Sequence, residues 1–200
     1  MIKHFFILLL IIPSMVTLAD ENTDATILDK VYQCVEIKDK VSGEFTQTKH
    51  LSILKKPLII NGEYVLLDNG DLEWSQVKPI KVTYFIEADN IYRLNDNNEK
   101  EEQRSFNQGA ASSMLTTLKA SMTGNFDLLL DNFELQVREV DCKWTIFLTS
   151  KNDDLKSFLK SIVLKGTSQV DEVSILEVNG DKTTIELNQS SSKRMLLNAR

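Results

Sequence analysis

The stretch NGDLEWSQVKP, residues 69–79, decides the fold. Asn69-Gly70, flanked by Asp68 and Asp71, is a strong hairpin-turn signal. After it, Leu72, Trp74 and Gln76 recur at period two, with Glu73 and Ser75 between them. That alternation is the signature of a strand with one face covered and the other in water. Pro79 ends the run, because it has no N–H to give to a ladder.

Working outward, the same pattern continues in both directions. Upstream, Leu58, Ile60, Tyr64 and Leu66 share one face of a strand, with a bulge expected at Asn61-Gly62. Alternation begins at Val41, and Phe45 stands among polar neighbours in GEFTQTK. Downstream, Ile80, Val82, Tyr84 and Ile86 share a face. A shorter strand at 91–94 precedes an acidic, amide-rich turn, NDNNEKEE. In the second half Phe133, Leu135 and Val137 alternate with Glu134, Gln136 and Arg138. Trp144, Ile146 and Leu148 repeat the pattern. Three more strands are expected around 162–165, 173–178 and 183–187, the last two joined by a turn at Asn179-Gly180-Asp181.

Helical spacing interrupts this pattern in a few places. Ile27, Leu28, Val31, Cys34 and Val35 form one stripe, with Thr23 or Asp24 as N-cap. Between Gln108 and Gly124, a second stripe holds Met114, Leu115, Leu118 and Met122, and a helical turn or two is expected at 126–130. Asn152 or Asp153 caps a short helix carrying Leu155, Phe158 and Leu159. Short turns between strands make antiparallel meanders. The class is therefore α+β: about 9–11 antiparallel strands and a few short helices to cover their apolar face.

Residues 1–19, MIKHFFILLLIIPSMVTLA, have the form of a cleaved export signal, with cleavage near Ala19 and one domain over residues 20–200. Removing them takes away Lys3 and no acid, moving the formal charge from −6 to −7. So acidic a balance argues against nucleic acid, whose phosphates call for clustered Lys and Arg, and against lasting adsorption to anionic lipid. Two cysteines, Cys34 and Cys142, remain in an oxidising compartment, where they are either one disulfide or two buried thiols.

Catalytic chemistry finds little support. After export only His50 remains as a histidine, on a strand between Lys49 and Leu51. No metal-ligand spacing, calcium loop or phosphate loop is present, so no metal and no cofactor are expected, and no enzyme.

The succession FTQ (Phe45 to Gln47), KPL (Lys56 to Leu58), NGEY (Asn61 to Tyr64) and GDLEW followed by KP (Gly70 to Trp74, Lys78-Pro79) resembles the periplasmic lipoprotein carrier LolA and its relatives. WTIFLTSK (Trp144 to Lys151) and VSILEVNGDKTTIEL (Val173 to Leu187) extend the likeness over nearly the whole exported chain. The resemblance implies a single curved antiparallel sheet, an unclosed half-barrel, with the helices as a lid. It implies a periplasmic carrier that shields the acyl chains of lipoproteins, or a related lipid, between the inner and outer membranes. The alternative is a lipid-sensing or adaptor module on the same scaffold that does not shuttle. An inner-membrane release complex, an outer-membrane receptor and a monomeric state are implied as well.

On that reading the cavity wall is Tyr64, Leu66, Leu72 and Trp74, then Val82, Tyr84 and Ile86. The second half contributes Phe133, Leu135 and Val137, with Trp144, Ile146 and Leu148. Lid contacts are Met114, Leu115, Leu118 and Met122. The best-known carriers hold the lid with a basic residue early in the sheet, and the segment 61–74 has neither Arg nor Lys.

Overall fold

The computed structural model describes residues 24–36, 41–87, 90–95, 97, 99–102 and 117–189. Eleven strands form one antiparallel sheet. The first six are β1 (Val41–His50), β2 (Leu58–Leu66), β3 (Leu72–Lys78), β4 (Val82–Glu87), β5 (Asn90–Leu94) and β6 (Lys100–Glu102). The other five are β7 (Phe133–Val140), β8 (Lys143–Ser150), β9 (Leu159–Gly166), β10 (Val170–Glu177) and β11 (Lys182–Gln189). Four helical pieces accompany them: α1 (Asp24–Cys34), α2 (117–122), α3 (Asp127–Leu130) and α4 (Asp153–Lys156).

The strand order is β6-β5-β4-β3-β2-β1-β11-β10-β9-β8-β7. Two meanders therefore run outward from a central pairing of the first strand with the last, Phe45 opposite Leu187 and Gln47 opposite Ile185. The sheet is curved and unclosed, since β6 and β7 are its two edges. Consecutive in sequence, these two edges lie at opposite ends of the sheet. Between them in sequence, the described residues 117–132 lie against one face of the sheet as a strap, with Leu118, Ala120, Phe126 and Leu129 buried.

Both edges are protected against pairing with another chain. At β7 the Val137 N–H donates to Asp24 Oδ1 of α1 at 2.9 Å. At the other edge β6 is only three residues long, Lys-Glu-Glu, all charged and exposed. That strand lies inside the stretch read from sequence as a turn, because three charged residues carry no alternation.

Two other boundaries differ from expectation. Ile80 does not join the face of β4; it stands in the β3–β4 loop, beyond a cis Lys78–Pro79 bond, 72 % exposed. Helix α4 stops at Lys156, and Leu159 opens β9, so the apolar side chains at 155, 158 and 159 do not form one helical stripe. Its cap matches expectation: Asn152 accepts from the Asp154 and Leu155 N–H groups. The bulge at Asn61/Gly62 is also in place.

Candidate functional site

Strand register gathers the sequence-derived wall onto one face. Tyr64 pairs with Trp74 and Leu66 with Leu72. Trp74 pairs with Tyr84, Leu72 with Ile86 and Gln76 with Val82. On the other wing Leu135 pairs with Leu148 and Val137 with Ile146, and Phe133 opposes Ser150 on the same face. One ladder runs Val137–Ile146–Leu164–Val173–Ile185–Gln47–Ile60 across seven strands and is apolar except for Gln47. This inner face, with α1, α2 and α3 against it, is the hydrophobic core of the protein.

The tryptophan of NGDLEW sits in an aromatic stack built from three strands. Phe45 on β1 faces Gly62 on β2, and the missing side chain lets its ring lie across that strand. The ring then stacks on Trp74 of β3 at 3.7 Å and 21°. Tyr64 continues the stack, 6.2 Å from the indole. Burial pushes the Tyr64 phenol up to about 12, with Asp171 adding to the effect, so it stays neutral in neutral water. The three resembling segments FTQ, NGEY and LEW are thus one aromatic device on three neighbouring strands.

Trp144 has a different setting. Its indole N–H donates to the Thr167 carbonyl at 2.6 Å, and its ring meets Phe126 edge-on at 5.7 Å. Phe126 also touches Tyr32 of α1, whose hydroxyl donates to Asp127 Oδ1 at 2.9 Å. Burial, then the hydrogen bond to Asp127, pushes the Tyr32 phenol up to about 12. These contacts pin α1 and α3 over the β7–β9 wing.

Cover over the inner face is uneven. Tyr64, Leu66, Leu72, Trp74, Ile86, Phe133, Val137, Trp144, Ile146 and Leu148 are buried. Val82, Tyr84 and Leu135 are half-buried. Of the lid residues, Leu118 is fully buried and Met122 half-buried, while Met114 and Leu115 lie outside the described residues. Where α2 and the end of α1 meet the sheet, a narrow cleft opens to solvent. Val35, Val41, Tyr64, Met122, Val170 and Leu187 give it an apolar wall, and its interior admits little more than a water molecule.

The strap holds to the sheet mainly through apolar contact. Leu118, Ala120, Phe126 and Leu129 are buried in the core. Its hydroxyls bond within itself: Ser121 to the Thr117 carbonyl at 2.6 Å, and Thr123 to the Lys119 and Ala120 carbonyls at 3.0 Å. A half-buried ion pair joins Lys119 to Asp71 in the β2–β3 turn at 3.8 Å. The sequence segment without a cation therefore supplies the anion, and the cation comes from the strap.

Arg93, which the sequence did not single out, pairs in register with Tyr84 across β4–β5 and with Glu101 of β6, and its side chain is exposed at that end of the face. The alternation Ile91-x-Arg93 is the sequence signal of that register.

Cys34 and Cys142 form a disulfide with Cα atoms 5.4 Å apart. Glu139 accepts from the Cys142 N–H at 2.8 Å. These three are the grouping nearest to a metal-ligand set among the described residues, but the two sulfurs are bonded to each other and offer no thiolate. His50 is exposed at the end of β1.

An open antiparallel sheet whose apolar face is strapped by the chain linking its two edges defines a class of scaffold. The chain belongs to the family described as outer membrane lipoprotein carrier protein LolA-like, whose model matches residues 20–190. Among solved structures it resembles a LolA superfamily protein from Nitrosomonas europaea, with 7 % identity, 83 % of this chain and 91 % of that chain covered, and TM-score 0.43. It also resembles a putative outer membrane lipoprotein-sorting protein domain from Vibrio parahaemolyticus, with 6 % identity, 85 % and 92 % covered, and TM-score 0.46. A DUF1329 family protein from Desulfovibrio piger is similar at 9 % identity, 85 % and 92 % covered, and TM-score 0.47. No curated protein matches the chain. Among the described residues no helix is long and apolar enough to cross a membrane.

Proposed function

We propose that this protein is a periplasmic carrier that takes the acyl chains of lipoproteins, or of a related lipid, against the inner face of its sheet, and that residues 1–19 are removed on export. The observation that carries the reading is the bonding of the strap. Ser121 and Thr123 satisfy their hydroxyls inside the strap, so lifting α2 does not break those bonds. The described contacts that would separate include the buried Leu118 and Ala120 and the Lys119–Asp71 pair. Hydrocarbon can replace those apolar contacts. Tyr64, Trp74, Tyr84 and Leu118 would then meet the cargo, and the half-buried β4 is where it would enter. Arg93 and Tyr84 would face its polar end.

Magnitudes fit a carrier that both holds and releases. Burying an acyl chain of about fifteen methylenes is worth roughly 12 kcal/mol. Displacing Leu118, Ala120 and Met122 from their packing offsets part of this, and a receptor with higher affinity draws cargo from the opened form. An inner-membrane release complex and an outer-membrane receptor are the partners this cycle requires.

The burial of most of the inner-face side chains among the described residues favours a second reading, a lipid-sensing or adaptor module that does not shuttle. Native mass spectrometry of protein taken from its own envelope separates the two. The carrier reading expects acylated species bound at one per chain. Protein free of lipid from every preparation, and unchanged by incubation with a long-chain acyl probe, would remove it.

A further inference from the structure

One end of the sheet differs from the rest of the molecule. The loops β1–β2, β3–β4 and β10–β11 leave the same end of six consecutive strands, β4 to β1 and then β11 and β10, a rim roughly 24 Å across. The Ser52 N–H donates to Asp181 Oδ1 at 2.7 Å, tying the first of these loops to the third. That contact, together with the backbone turn from the Leu54 N–H to the Leu51 carbonyl, gives the tip a defined shape. Aliphatic side chains stand in solvent along it: Ile53 is 86 % exposed, Ile80 72 %, Val178 57 % and Leu54 44 %.

Charge on this rim is opposite to that of the chain. Residues 49–58, 77–82 and 177–182 hold six lysines (Lys49, Lys55, Lys56, Lys78, Lys81 and Lys182) against two acids, Glu177 and Asp181, in a protein of formal charge −6. The backbone and side-chain hydrogen bonds from Ser52 hold the Asp181 carboxyl below the usual carboxylate range, so one of the two acids is committed to shaping the loop. Among the described residues, the opposite end, with the β2–β3, β7–β8 and β9–β10 turns and the disulfide, exposes Val140 and, less fully, Leu67.

We infer that this rim docks the protein on an anionic phospholipid surface, with Ile53, Leu54 and Ile80 entering the headgroup layer and the lysines meeting lipid phosphates. Apolar tips backed by long cationic side chains are the composition of an interfacial anchor. A protein partner fits less well. Protein interfaces concentrate aromatic and arginine anchors and are depleted of lysine, whereas this rim has six lysines, four aliphatic tips and no tryptophan, tyrosine or arginine. The acidic remainder of the molecule is repelled by the same surface, so the contact is local and reversible. This inference goes beyond the cargo reading and stands without it, since it needs no ligand on the inner face.

Flotation with vesicles of phosphatidylethanolamine and phosphatidylglycerol, beside vesicles of phosphatidylcholine alone, tests it. Acyl-free protein is expected to float with the anionic vesicles at about 0.05 M salt and to detach near 0.5 M, where charges are screened beyond a few ångströms. Lys55→Gln with Lys56→Gln should weaken binding about twentyfold. Ile53→Asp should abolish it with no change in melting temperature, because the side chain is already in water. Lys143→Gln, at the opposite end, should have no effect. Absence of binding to anionic vesicles overturns the inference and leaves an acidic protein as the partner class for the rim. Binding that survives both rim variants, or that is equal on neutral vesicles and insensitive to salt, overturns it as well.

Discussion

Reduction of the Cys34–Cys142 bridge is expected to lower the unfolding free energy by about 5 kcal/mol. The two residues are 108 positions apart, so the bridge closes a long loop in the unfolded chain. In the chain-entropy account, opening such a loop costs about 4.8 kcal/mol of native stability. For a protein of this size that is a drop in melting temperature of roughly 10–20 °C. The folded state has its own reason to depend on it. Cys34 is the last residue of α1 and Cys142 lies in the β7–β8 turn, while Asp24 at the other end of α1 caps the β7 edge. The helix is therefore fixed at both ends, and it carries Leu28 and Val31 into the core. Without the bridge, α1 still has its packing, the Asp24 cap and the Tyr32–Asp127 hydrogen bond, but its C-terminal end loses its covalent tie to the β7–β8 turn. Thermal melts with and without reductant, and of Cys34→Ser with Cys142→Ser, measure this. Equal midpoints would show that α1 holds its place unaided.

Alanine at Gly62 is the second substitution with a large expected effect, about 3 kcal/mol. An added Cβ would sit 2.2 Å from the Ser75 carbonyl oxygen and 2.5 Å from two carbons of the Phe45 ring. The ring has nowhere to go, being stacked on Trp74, and the carbonyl belongs to the neighbouring strand. Gly70→Ala is the informative contrast. Gly70 has φ of 79° in the β2–β3 turn and nothing within 4 Å, so its cost is the left-handed backbone alone, about 1 kcal/mol. Denaturant titration of both variants should rank them in that order by a factor of roughly three. A Gly62→Ala protein as stable as Gly70→Ala would mean that the aromatic stack yields easily and does not define the inner face.

Much of the architecture could be read from period two alone. Trp74, Tyr84, Ile146 and their neighbours alternate with polar residues, and that alternation places them on one face whichever strands pair. Hairpin chemistry at Asn69-Gly70 and Asn179-Gly180 fixed which strands are adjacent locally. Pairing of β1 with β11 was beyond such reading, since it joins Gly43 to Gln189 with no local signal. The disulfide was open for the same reason: Cys34 and Cys142 approach only once α1 has packed on β7. Strand β6 was invisible because Lys-Glu-Glu has no apolar member. Arg93 was not singled out, and its partner strand is that same β6. The basic rim could not be seen either, because its lysines come from three loops that become neighbours only when six strands are assembled.

The central claim is that hydrocarbon displaces the strap from the inner face. Hydrogen exchange across residues 117–130, with and without a long-chain acyl probe, tests it most directly. The account predicts that bound probe changes protection in α2 and α3 while the β8–β10 ladder stays constant. Identical protection of 117–130 in the two states, with probe shown to be bound, would contradict it.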